Sequence, residues 1–168
     1  MKVIRVLALL FIVLSTSGCR SPSAATNTTK ALIQPTPLMD GIVSYQTFSQ
    51  VKTLPKLKNA KWKTLEHSTG FLTVETGNYS HLGFTGTATF AFFKGRLLRT
   101  WFVTPQYVKY RNALTKKLHI KWDKTSQAVI GKTQFYYSLK TVTWSDLVLQ
   151  EEAGVWISNQ PGYHDQKM

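Results

Sequence analysis

The chain has 168 residues, 21 Lys plus Arg against 8 Asp plus Glu, 12% aromatic residues and a single cysteine. That length holds one domain with a short extra segment, and a lone Cys rules out an internal disulfide framework. A formal net charge of +13 sets the protein against basic partners and toward anionic ones.

The first 18 residues open with the basic Lys2 and Arg5. They continue through an apolar run, Val6 to Leu14, that is too short to cross a bilayer comfortably, and end in the small residues Ser15-Thr16-Ser17-Gly18 before Cys19. This is the layout of a secretory signal peptide over residues 1–18. The segment Leu14-Ser15-Thr16-Ser17-Gly18-Cys19 resembles the lipobox of bacterial lipoprotein precursors. The resemblance implies cleavage before Cys19, acylation (palmitate or a similar chain) at Cys19, and attachment to a membrane through lipid worth about 0.8 kcal/mol per buried CH2. It also implies, because Arg20 stands where an acidic residue would signal inner-membrane retention, a place on the outer membrane facing the periplasm if the host has two membranes. An ordinary secreted protein cut near Ala24 or Ala25, and an uncleaved anchor helix, are the alternatives. Without Lys2 and Arg5 the mature chain has 19 basic and 8 acidic residues, a net charge of +11.

Residues 19–40, rich in Ser, Thr, Ala, Asn and Pro and without an apolar period, read as a flexible tether with an end-to-end distance of about 25 Å. Residues 41–163 then make one globular domain and 164–168 a tail. A short helix is expected from Thr47 to Leu54, ending ahead of Pro55. A strand follows over Gly70–Glu75. The run Phe84–Phe93, Lys94-Gly95, Arg96–Val103 alternates threonines and aromatics about a Gly-containing turn, the pattern of a β-hairpin. Thr104-Pro105 offers an N-cap hydroxyl and a proline at the first helical position, so a helix is expected over Pro105–His119 with Tyr107, Tyr110, Leu114 and Leu118 on its apolar stripe. Thr133–Ser138, Lys140–Trp144 and Gly154–Ser158 read as extended chain, and Asp146–Glu152 is ambiguous between helix and strand. The expected fold class is α+β: an antiparallel sheet of four to six strands with one or two helices packed on one face.

Tyr45-Gln46-Thr47-Phe48-Ser49-Gln50-Val51, the later Trp62 and the hairpin about Lys94-Gly95 resemble the helix-then-hairpin layout of small outer-membrane lipoproteins of the BamE type, accessory factors for β-barrel assembly. The likeness covers about 60 residues. It implies an architecture and transfers no functional residue.

The charge gathers in two stretches. One holds Lys52, Lys56, Lys58, Lys61 and Lys63. The other runs from Lys94, Arg96 and Arg99 through Lys109, Arg111, Lys116 and Lys117 to Lys121 and Lys124, opposed only by Asp123. A basic binding surface made of Lys94, Arg96, Arg99, Lys109, Lys116 and Lys117 is expected to meet another envelope protein or an anionic envelope polymer, each basic residue near an anionic surface being worth about 1 kcal/mol. Plain solubility is the competing explanation of the charge. Nucleic acid, for which Tyr107, Tyr110 and Trp122 offer stacking surfaces, is disfavoured by export.

No pattern specifies catalysis, a metal or a cofactor. Gly131-Lys132-Thr133 lacks the upstream glycine of a phosphate-binding loop and reads as a turn. Ser49-Gln50-Val51-Lys52 fits the Ser-x-x-Lys pattern of penicillin-recognising enzymes without its companion motifs. His67, His81, His119 and His164 show no metal-ligand spacing, Glu151 and Glu152 point apart, and Glu66 and Glu75 can face one another only across a turn. The expected function is therefore a lipid-anchored envelope binding or accessory protein without catalytic activity. The alternative is an envelope hydrolase or transferase with a His/Glu site. A cleft joining one of the histidines to a carboxylate would favour the enzyme, and its absence the binder. Among the aromatics, Phe90, Phe92, Trp101, Tyr136, Trp144 and Trp156 are expected in the core, with Phe93, Tyr137 and Trp62 candidates for a groove on the opposite sheet face.

Overall fold

A computed structural model describes residues 34–161. The expected leader, Cys19 with its expected acylation, most of the expected tether, and the expected tail with His164 lie outside the described residues.

Seven strands form one antiparallel sheet: β1 (Trp62–Ser68), β2 (Phe71–His81), β3 (Phe84–Phe93), β4 (Arg96–Val103), β5 (Gln127–Ile130), β6 (Thr133–Ser138) and β7 (Thr141–Asp146). Their order is β1-β2-β3-β4-β7-β6-β5. Three helices accompany them, α1 (Phe48–Thr53), α2 (Tyr107–Leu118) and α3 (Leu147–Ser158). The α+β class stands, but the sheet has seven strands rather than four to six, and helices cover both faces rather than one.

The expected hairpin is β3–β4. Lys94 and Gly95 both have positive φ, 48° and 74°, as a two-residue turn matched to strand twist requires. Leu82 and Gly83 repeat that geometry, 53° and 80°, and join β2 to β3. Gly86 on β3 must be glycine for a different reason. A Cβ there would lie 2.1 Å from the Val103 carbonyl oxygen and 2.8 Å from the Phe102 ring.

One sheet face carries the main core, in which Phe90, Phe92, Phe102 and Trp144 are buried beneath Tyr110 and Leu114 of α2 and Val51 of α1. The strap that precedes α1 joins this core. Thr36, Leu38 and Met39 are buried, Met39 completely, and Pro37 bridges Val43. Thr36 to Asp40, expected as the end of the tether, thus belong to the folded part. Thr47 caps α1 through a reciprocal capping box with Gln50, and α1 stops at Thr53 as Pro55 dictates.

On the opposite face, α3 covers one end of the sheet, packing Leu149, Ala153 and Trp156 on Phe93, Leu98 and Phe71. The expectation of extended chain over Gly154–Ser158 is corrected: these residues continue α3. Asp146 ends β7 and caps the helix by accepting from the Leu149 N–H at 3.0 Å. Its other oxygen accepts from the Ser44 hydroxyl at 2.6 Å, and Ser44 Oγ accepts from the Thr36 N–H at 2.8 Å. One buried carboxylate thus fastens α3 to the strap. Among the described residues no helix is long and apolar enough to cross a membrane.

Candidate functional site

The six basic residues expected to form one surface are divided by the sheet. Lys109, Lys116 and Lys117 are exposed on α2, above the main core. Lys94 and Arg96 flank the β3–β4 turn on the α3 side, where Lys94 Nζ lies 5.1 Å from the centroid of the Phe93 ring. Arg96 makes a fork with Glu152 of α3, its two terminal nitrogens donating to the two carboxylate oxygens at 3.0 and 2.6 Å, so its guanidinium is held in its charged form. Arg99 is half-buried on β4. Among the described residues only Lys56, Lys63 and Arg96 have a carboxylate partner. The cations of α2 and of the following loop, Lys109, Lys116, Lys117, Lys121 and Lys124, have none.

Beside α2 lies a cleft of about 760 Å³ between the strap, the helix and the β5–β6 turn, with His81, Leu114, Phe135 and Trp144 in its walls and Lys117 and Lys132 among its lining residues. Gly131-Lys132 is the β5–β6 turn, with Gly131 at φ 60°. His81 sits on the last residue of β2, 5% exposed, and its Nδ1 is 2.7 Å from the Tyr110 hydroxyl. Burial pushes its pKa down to about 4, and the nearby Lys56 and Lys117 act the same way against Asp40. The same cleft contains Asp40, so a histidine and a carboxylate do share a cavity. They are not paired with each other. Asp40 accepts from Lys56 Nζ and, at 2.9 Å, from the Tyr79 hydroxyl, and those partners hold its carboxyl below the usual range despite partial burial. An imidazole that is neutral at physiological pH but protonates only near pH 4, hydrogen-bonded to a tyrosine, is a poor general base. Neither Asp40, which falls in the stretch read as tether, nor Tyr79 gave any sign in the sequence of belonging here.

Among the described residues the other histidines and carboxylates do not converge. His67 is exposed on β1 and His119 is the exposed residue that ends α2 in the left-handed conformation. Glu66 pairs across the ladder with Thr73, and Glu75 with Lys63, so the two glutamates do not face one another. Glu151 and Glu152 are exposed neighbours on α3. Ser49 and Lys52 are exposed on α1, with Lys52 Nζ 4.7 Å from the centroid of the Phe48 ring. Among the described residues no three His, Cys, Asp or Glu side chains gather as a metal site.

The open part of the α3-side face forms a second concavity of about 510 Å³. Here the aromatic assignments are corrected. Trp101 and Tyr136, expected in the core, line this trough, and Tyr136 is 41% exposed. Phe93, expected in the groove, is completely buried by α3, while Tyr137 and Trp62 pack against the main core, the latter edge-on to Phe48. Trp156 packs on Phe71 and Phe93 from a helix rather than a strand. The register shift between Ala91 and Phe92 leaves Leu98 as an extra residue in β4, and the added helix covers one end of a face that alternation alone leaves bare.

Comparison of the chain with family models, with curated proteins and with solved structures finds no match.

Proposed function

We propose that this protein is a lipid-anchored component of the bacterial cell envelope that binds a partner and does not catalyse. Acyl chains on Cys19 hold it at a membrane, the outer one facing the periplasm where the host has two, and the basic surface of α2 meets an acidic envelope protein or an anionic envelope polymer. The observation that carries this reading is the run of exposed cations Lys109, Lys116, Lys117, Lys121 and Lys124 without a carboxylate partner among the described residues. Such a field concentrates anionic partners and steers their approach.

The test follows from where the cations sit. Reversing Arg96 or Arg99 would break contacts inside the fold, whereas α2 holds its exposed lysines away from any partner. Lipidated protein is to be recovered from membranes with what it binds, as wild type and as the triple variant Lys109→Glu, Lys116→Glu, Lys117→Glu. Loss of the co-purifying partner on reversal is expected, together with release of Cys19→Ser into the soluble fraction. Unchanged co-purification would overturn the basic-surface reading, and an unmodified thiol at the mature N-terminus the anchor.

The cleft that holds both His81 and Asp40 favours one second reading, an envelope hydrolase or transferase. It predicts that cell-wall polysaccharide incubated with the protein is cleaved or modified and that His81→Gln abolishes the change.

A further inference from the structure

Arg99 is a half-buried charge whose hydrogen-bond partners are neutral. Its Nε donates to Ser145 Oγ at 2.9 Å and a terminal nitrogen to Gln150 Oε1 at 3.2 Å, and among the described residues no carboxylate lies within ion-pair distance. Glu152 of α3 is taken by Arg96. Burial lowers the guanidinium's affinity for its proton, the direction expected of a cation that lacks a counter-charge. A partly buried cation without a counter-charge is costly, and Arg99 lines the 510 Å³ trough.

The sheet register places this cation beside an aromatic row. Trp101, Thr143 and Tyr136 are cross-strand partners on one rung, and Arg99, Ser145 and Gln134 on the next rung of the same face. The two rungs are two residues apart, roughly 7 Å, the scale of one pyranose ring. Among the described residues Arg99 is the only cation in the lining, and the rest consists mainly of amides and hydroxyls, with Gln134 Nε2 donating to Gln127 Oε1 at 2.8 Å. One planar fork matches a single carboxylate, flat aromatic faces match a sugar ring, and neutral amides and hydroxyls match its hydroxyl groups.

We propose that the trough binds an acidic saccharide of the uronate type, its carboxylate on Arg99 and its rings along Trp101 and Tyr136. The trough lies on the opposite side of the sheet from α2, so the inference rests on its own geometry and is independent of the partner assigned to the α2 lysines.

Calorimetric titration of the full-length chain in detergent tests it with two sugars of one linkage, α-1,4-digalacturonic acid and the uncharged α-1,4-galactobiose, and with the acidic peptide N-acetyl-Ala-Glu-Ala amide. The uronate is expected to bind at least about tenfold more tightly than either other probe. Arg99→Gln should erase the preference for the uronate over galactobiose. Tyr136→Ala, an exposed position that leaves the fold intact, should weaken both sugars alike while keeping their ratio. Equal affinity for the two sugars, retention of the preference in Arg99→Gln, or peptide binding as tight as the uronate's would each overturn the proposal. The Lys109→Glu, Lys116→Glu, Lys117→Glu variant should bind the uronate as wild type does, so failure of the α2 reading and failure of this one are read separately.

Discussion

His81 is neutral in the folded protein because burial pushes its pKa from 6.5 to about 4. In the unfolded chain the same imidazole takes up a proton near pH 6.5. Between those values the unfolded state binds more protons than the folded one, so stability falls as pH drops from 6.5 toward 4 and this group's share of the loss is complete below about 4. At 1.36 kcal/mol per unit the share is on the order of 3 kcal/mol. The groups that face His81 are Asp40, Lys56, Lys117 and the Tyr110 hydroxyl, and Asp40, with its carboxyl held low, titrates below this window. Urea midpoints measured from pH 7 to pH 4 should therefore decline steeply in wild type and much less in His81→Gln. A parallel decline in both proteins would mean that the imidazole is hydrated in the fold. Tyr110→Phe tests the same pair from the other side. It leaves His81 Nδ1 without its partner and should cost about 1–3 kcal/mol at pH 7.

At the scale of elements, the parts legible in the sequence are those whose pattern is local. The β3–β4 hairpin announces itself because alternating Thr and aromatic residues flank Lys94-Gly95, and α1 and α2 because capping residues and prolines mark their ends. Gln106, rather than Thr104, stands at the start of α2, where Thr104 Oγ1 instead donates to the Thr85 carbonyl at 3.0 Å. What stayed hidden depends on distant chain. β1 is an exposed edge strand with Lys63, Glu66 and His67 along it, a composition that blunts an edge and erases the alternating signature. β2 continues to His81, past Glu75 where the expected strand ended, by absorbing Gly77-Asn78 in a register shift with Asn78 at φ 55°. α3 holds Val155, Trp156 and Ile157, residues suited to a strand, because its start is set by Asp146 and its face by Phe71, Phe93 and Leu98. The same holds for the candidate sites: Arg99 was visible as a cation, but its place beside Trp101 and Tyr136 follows from pairing β4 with β7 across more than 40 residues of chain. Asp146 carries the most weight among these long-range ties. Asp146→Ala removes a helix cap and the Ser44 bond together and should lower stability by about 2–3 kcal/mol, whereas Ser44→Ala, which spares the cap, should cost about 1–2. Equal losses in the two variants would show that the cap contributes nothing.

For the molecule as a whole, the described residues hold sixteen Lys and Arg side chains against seven carboxylates, with ion pairs only at Asp40–Lys56, Glu75–Lys63 and Glu152–Arg96. On α2, Lys109 stands about 10–12 Å along the helix axis from Lys116 and Lys117, a spacing that widens when the chain unfolds. Two like charges about 10 Å apart repel by roughly 0.4 kcal/mol in water, so several such pairs together oppose the fold by about 1–2 kcal/mol at low salt. Between 0.01 and 0.1 M salt the Debye length falls from about 30 Å to about 10 Å, which removes much of that repulsion. The urea midpoint should accordingly rise over this range. The rise should shrink in the Lys109→Glu, Lys116→Glu, Lys117→Glu variant, where the glutamates attract Arg111, Lys121 and Lys124 and salt screens that attraction. A midpoint that stays level or falls with salt in wild type would show that the α2 cations do not act as one field, and with it the reason to expect an anionic partner on that face would be lost.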